Sequence, residues 1–61
     1  MIEKLLLPKE VYQLVRLSEA TVWRMRRKKK FPDPISISDG RVAYRESEVV
    51  AWIARQPRSF V

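Results

Sequence analysis

Leu17-Ser18-Glu19-Ala20-Thr21-Val22-Trp23-Arg24-Met25-Arg26-Arg27-Lys28-Lys29-Lys30 runs directly into Phe31-Pro32-Asp33-Pro34, and the two ends of this stretch decide the fold. Ser18 is a good N-cap, because its hydroxyl can accept an orphan backbone N–H two or three residues on. Pro32 and Pro34 close the other end, since proline lacks the N–H and pushes the residue before it out of the helical region. The spacing predicts a helix from Glu19 to about Lys28. Val22 and Met25 share one face, with Leu17 packing at the entry. At ~100° per residue, Ala20, Trp23, Arg24, Arg27 and Lys28 fall on the other, which is basic and aromatic.

Upstream, Val11, Leu14 and Val15 make an apolar stripe on a short helix from Pro8 to about Val15, with Lys9, Glu10 and Gln13 facing water. Pro8 suits the first helical position. Ile2 to Leu7, apolar apart from Glu3 and Lys4, reads as a short strand or arm. Only Arg16 and Leu17 separate the first helix from the Ser18 cap. Two helices joined so tightly, the second basic on its outer face, form a helix-turn-helix pattern.

Downstream, Ile35-Ser36-Ile37-Ser38 alternates with period two, Asp39-Gly40 is a favoured two-residue turn, and Arg41-Val42-Ala43-Tyr44 returns. In a regular hairpin Ile37 opposes Val42 and Ile35 opposes Tyr44 on an apolar face, while Ser36 opposes Ala43 and Ser38 opposes Arg41. A third helix spans Glu46 to about Arg55, with Glu46 and Glu48 at its positive end and Val49, Trp52, Ile53 and Gln56 along one stripe. Pro57 ends it. The expected architecture is a small α+β winged helix-turn-helix: one domain over residues 1–61, ordered from about 5 to 56, with a loose tail from Arg58. In that tail Phe60 and Val61 either fray or contribute to self-association.

The chain has 61 residues, a net charge of +6 and a pI near 10.3. Of its thirteen bases, six lie between Arg24 and Lys30, and the other seven equal the seven acids in number. One or two cations suit a helix C-terminus, but six in seven residues repel each other unless an anionic partner neutralises them. A polyanion contact is the expected reason. Without cysteine or histidine there is no disulfide, no usual zinc site and no imidazole base. One glycine cannot make a phosphate-cradling loop, and Glu46 and Glu48, two apart, do not share a helix face. These features argue against an enzyme and against a cofactor. The apolar runs are far shorter than a membrane span or a signal-peptide core, so the chain reads as soluble and cytoplasmic.

The stretches Leu17-Ser18, Thr21-Val22-Trp23-Arg24-Met25, Lys30-Phe31-Pro32-Asp33-Pro34 and Arg41-Val42-Ala43-Tyr44-Arg45-Glu46-Ser47-Glu48-Val49, with Ala51-Trp52-Ile53, resemble the AlpA family of prophage regulators. That family is grouped with the excisionase-like and MerR-like winged helix-turn-helix domains, and nearly the whole chain takes part in the likeness. The resemblance implies a DNA-binding protein of phage or integrated-element origin. Such a protein regulates transcription, often of an integrase or excision function, or acts directly as an excisionase. Arg16 and Lys29 depart from the pattern, standing where family members usually carry glycine at the ends of the first two helices. Glycine there permits a left-handed cap. Either the caps of this chain are built differently, or some strain is accepted for two added phosphate-directed charges.

A second helix lying in a major groove would present Ala20, Thr21, Trp23, Arg24 and Arg27 to base edges or the adjacent backbone. Arg24 can bond a guanine edge bidentately, while Lys28, Lys29 and Lys30 suit phosphates. Trp23 either packs across the wing or touches sugar and thymine methyl. Arg41, beside the hairpin turn, is placed for a minor groove or a phosphate, and the resemblance suggests a backbone contact for Arg45. Ser18 serves first as a cap, and Thr21 can cap or contact. The expected DNA-contacting set is Ser18, Ala20, Thr21, Trp23, Arg24, Arg27, Lys28, Lys30, Arg41 and Arg45.

The expected partner is double-stranded DNA within the nucleoid, with no membrane partner. A monomer this small touches few base pairs, so a dimer, tandem copies or an integrase are further expected partners. The leading reading is a sequence-specific transcriptional regulator of a mobile element. An excisionase that bends DNA at an attachment site is the alternative. An adaptor for acidic partners or anionic lipids is a third, weakened by the narrow apolar face of the second helix.

Overall fold

The structure, a computed structural model, describes residues 3–59. The chain runs β1 (Leu5–Leu6), α1 (Pro8–Val15), α2 (Glu19–Arg27), β2 (Ile35–Ser38), β3 (Arg41–Arg45) and α3 (Glu46–Ala54). This is the expected α+β winged helix-turn-helix. Ile2, at the start of the expected arm, and Phe60 and Val61, the expected self-association residues, lie outside the described residues.

Each helix starts where its first turn is satisfied. Pro8 opens α1, and the Glu10 carboxylate accepts the Leu7 N–H at 2.8 Å. Ser18 caps α2, its Oγ accepting the Thr21 N–H at 3.2 Å. Glu46 and Glu48 occupy the positive first turn of α3.

Both helices of the helix-turn-helix end in a left-handed residue that is not glycine: Arg16 at φ 59° and Lys29 at φ 60°. The Leu17 N–H reaches back to the Tyr12 carbonyl at 3.2 Å, the Lys29 N–H to Arg26 at 3.0 Å and the Lys30 N–H to Met25 at 2.8 Å. The last two are the paired bonds of a Schellman closure. The caps are therefore built in the glycine-like way, and basic side chains carry the strain.

Nearly every element contributes one side chain to the core: Leu6 from β1, Val11 from α1, Val22 from α2, Tyr44 from β3 and Val49 from α3, joined by Phe31 from the loop after α2. Phe31 meets Tyr44 edge-on, with ring centres 5.9 Å apart, and lies 4.7 Å from Trp52. The indole N–H of Trp52 donates to the Lys30 carbonyl at 2.7 Å. Arg26 pairs with Asp33 at 3.1 Å, so the segment following α2 is held from both sides. Burial pushes the Tyr44 phenol above its ordinary pKa, an effect that the charge of Arg26 partly offsets.

The arm is more than a leader. β1 pairs antiparallel with β3, Leu5 opposite Arg45 and Leu6 opposite Tyr44, giving a three-stranded sheet of order β1-β3-β2. Beyond the strand, the Glu46 N–H donates to the Lys4 carbonyl, the Ser47 hydroxyl donates to the Glu3 carboxylate, and Arg45 pairs with Glu3 at 3.5 Å. The arm thus ties the end of β3 to the start of α3.

Three expectations are corrected. The wing is not a regular hairpin: Ile35 pairs with Ala43, Ser36 with Val42 and Ser38 with Arg41, with an irregularity between Ser36 and Ser38 that leaves Ile37 unpaired. Gly40, at φ 73°, is the one residue of the turn in the left-handed region, whereas the favoured two-residue turn needs two. A turn of another type mismatches the strand twist, and an extra residue on β2 restores it. Tyr44 consequently enters the core, Ala43 is buried on the opposite face, and Ile37 and Val42 stay exposed.

On α1, Leu14 is 52% exposed while Tyr12 packs on the core with Val11 and Val15. The helix docks on both β3 and α2, which turns its buried face toward Tyr12, about 160° around the helix from Leu14. On α3, Val49 and Trp52 form the packed seam, and Ile53 and Gln56 are exposed. A nine-residue helix set on one strand buries only a narrow stripe.

Candidate nucleic-acid interface

The outer face of α2 is organised by contacts between successive turns. The Ser18 hydroxyl, besides capping the Thr21 N–H, donates to Thr21 Oγ1 at 2.9 Å. Arg24 donates from Nη2 to the same Oγ1 at 3.3 Å. One turn on, the Arg27 guanidinium lies 4.9 Å from the centre of the Trp23 ring, a cation–π stack. Each arginine is thus held by a residue one turn before it, Arg24 by the Thr21 hydroxyl three positions back and Arg27 by the Trp23 ring four positions back.

Trp23 is 52% exposed, so it does not pack across the wing. Its indole stands on the α2 surface, and of the two roles left open for it the lid over the core is removed. Ala20, Arg24, Arg27 and Lys28 are exposed beside it, and Thr21 is half-buried at the edge. Lys28, Lys29 and Lys30 continue the exposed face past the helix end.

Within the basic stretch, Arg26 is the exception. It is turned inward onto Asp33 and is the one member with an ion pair among the described residues. Among the described residues, Arg24, Arg27, Lys28, Lys29 and Lys30 carry five positive charges with no carboxylate paired to them. Such a row is stabilised by an external polyanion.

Arg41 stands exposed beside Gly40 at the wing tip. Arg45 lies at the opposite end of β3, about 13 Å along the strand, and its guanidinium is engaged by Glu3. The structure therefore gathers Ser18, Ala20, Thr21, Trp23, Arg24, Arg27, Lys28 and Lys30 on and around α2 and holds Arg41 on the wing. Arg45 joins neither group and serves at the seam of arm, wing and α3. Among the described residues, no group of three or more His, Cys, Asp or Glu side chains is arranged to hold a metal, and no helix is long and apolar enough to cross a membrane.

A family profile described as "Prophage CP4-57 regulatory protein (AlpA)" matches residues 4–57, from the arm through the end of α3. The chain belongs to the AlpA family. This AlpA-family chain is also similar to a protein of Enterobacteria phage P4, "Uncharacterized protein ORF88", with 40% identity over 52 residues. That alignment covers 85% of this chain and 59% of the phage protein, so the chain spans a little over half the length of the relative. No solved structure matches. For an AlpA-family chain, the contacts added by the structure are the Thr21–Arg24 and Trp23–Arg27 pairings, which no residue spacing specifies. The left-handed backbone at Arg16 and Lys29 did carry a signal in the sequence, as bases standing where the family resemblance places glycine.

Proposed function

We propose that the chain is a single DNA-binding domain acting as a sequence-specific regulator of transcription for a prophage or related mobile element. In this reading α2 lies in the major groove of duplex DNA. The observation that carries it is the outer face of α2, where two arginines are held in place by Thr21 and Trp23 beside an unpaired run of three lysines. A guanidinium that is already positioned loses less side-chain freedom on meeting a guanine edge. The lysines supply affinity through phosphates, and Arg24 and Arg27 supply selectivity. Arg41 brings the wing to the flanking backbone or minor groove.

A face only nine residues long reads a few base pairs, so the protein acts as a dimer or as tandem copies on adjacent sites, in the nucleoid. The test is occupancy of two duplexes from the host element, the promoter of its integrase gene and its attachment site, against mixed-sequence duplex of equal length. Preferred binding to the promoter supports the regulator. Cooperative, bending occupancy confined to the attachment site replaces it with an excisionase. Equal, weak binding to every polyanion removes sequence recognition altogether.

A further inference from the structure

Arg16 and Lys29 are the only described residues other than glycine with positive φ. Left-handed backbone is unfavourable for any residue with a Cβ, and in a chain of 61 residues two such positions are a substantial load on a small stability. Glycine would remove the strain at both. Both positions instead carry a long cation. Neither side chain makes a hydrogen bond or ion pair among the described residues, and both are exposed, so nothing within the fold rewards the charge.

Their placement is also particular. Arg16 lies just before the Ser18 cap and Lys29 just after Lys28, so the two bracket α2. Nine helical residues span about 13.5 Å, close to the ~12 Å width of a major groove. With α2 in the groove, a base beyond each end falls beside one of the two phosphate backbones that border it.

We propose that Arg16 and Lys29 are phosphate clamps for the two strands flanking the recognition helix, and that the fold holds them in strained left-handed caps for that contact. The inference rests on the duplex-binding reading of α2. Folded stability and DNA affinity are therefore opposed at these two positions. Replacing the pair by glycine strengthens the fold and weakens the complex.

The experiment compares the full chain with the double variant Arg16→Gly/Lys29→Gly, using a mixed-sequence 30-base-pair duplex, since phosphate contacts need no particular sequence. Melting is followed in parallel. The variant's Tm rises by roughly 4–8 °C, because relief of strain exceeds the extra freedom of glycine in the unfolded chain. Its affinity falls ~8-fold per lost contact at 0.1 M salt, and the slope of log affinity against log salt shrinks by about 0.9 per residue. Lys9→Gln, which removes an exposed charge from α1 and not from the ends of α2, controls for net charge and changes the slope by much less. A higher Tm with unchanged affinity and slope overturns the clamp, as does a Lys9→Gln effect equal to that of either glycine change. An unchanged or lower Tm overturns the strain. If the unaltered chain shows no salt-dependent duplex binding, the reading beneath the inference fails instead, and that result is distinct from a variant that binds as well as the parent.

Discussion

Replacing Phe31 by leucine tests how the loop after α2 is locked to the rest of the fold. Phe31 is 6% exposed and meets two rings, Tyr44 edge-on at 5.9 Å and Trp52 at 4.7 Å with a tilt of 60°. Leucine keeps most of the apolar burial and removes both ring contacts. At ~0.5–1.5 kcal/mol for each aromatic pair, the loss is about 1–3 kcal/mol. A domain of 61 residues holds roughly 3–9 kcal/mol in total, so the substitution consumes a large share of it. With about 4–8 °C of Tm per kcal/mol in a domain of this size, thermal unfolding followed by far-UV circular dichroism should shift down by at least ~4 °C. Phe31→Ala, at ~3–5 kcal/mol, leaves little or no folded protein at 37 °C. A Phe31→Leu variant that melts within ~2 °C of the parent would refute the aromatic cluster as the lock between α2, β3 and α3.

Two further outcomes follow from the same contacts. Trp23→Ala removes an exposed ring, so urea unfolding stays within ~0.5 kcal/mol of the parent while duplex affinity falls; a large loss of stability would restore the indole to the core. Tyr44 is held neutral by burial, with its folded pKa above the unfolded value near 10. Its stabilising share is therefore complete below about pH 10 and is lost as pH rises through the folded pKa. The urea midpoint should drop more between pH 9 and 11 for the parent than for Tyr44→Phe, and parallel pH curves for the two would contradict the assignment.

What was legible in the sequence is what short-range chemistry decides. The Ser18 cap, the Pro32 and Pro34 stop, the pairing of Ser38 with Arg41 around Asp39-Gly40, and the exposure of Ala20, Arg24, Arg27 and Lys28 all depend on neighbours within a few residues. The bulge at Ile37 was not legible, because it is set by the handedness of one turn against the twist of two strands. The exchange of Leu14 for Tyr12 arises from how α1 sits across β3 and α2, which no local pattern encodes. The role of β1 likewise depends on partners about forty residues away, Arg45 and Ser47, and the pairing of Arg45 with Glu3 belongs to the same seam. On α2 the charge was plain from composition, but the stack that keeps Trp23 outside with Arg27 is a choice between two rotameric fates of one indole.

The central claim, that α2 reads duplex DNA through positioned arginines, is tested most directly by selecting preferred sites from a randomised duplex library with the parent and with Arg24→Ala. The account predicts one enriched motif for the parent. For the variant it predicts a loss of preference at one guanine position, amounting to about 5- to 150-fold in discrimination, with a far smaller drop on mixed-sequence duplex. No enriched motif for the parent, or the same motif at undiminished strength for Arg24→Ala, would contradict it.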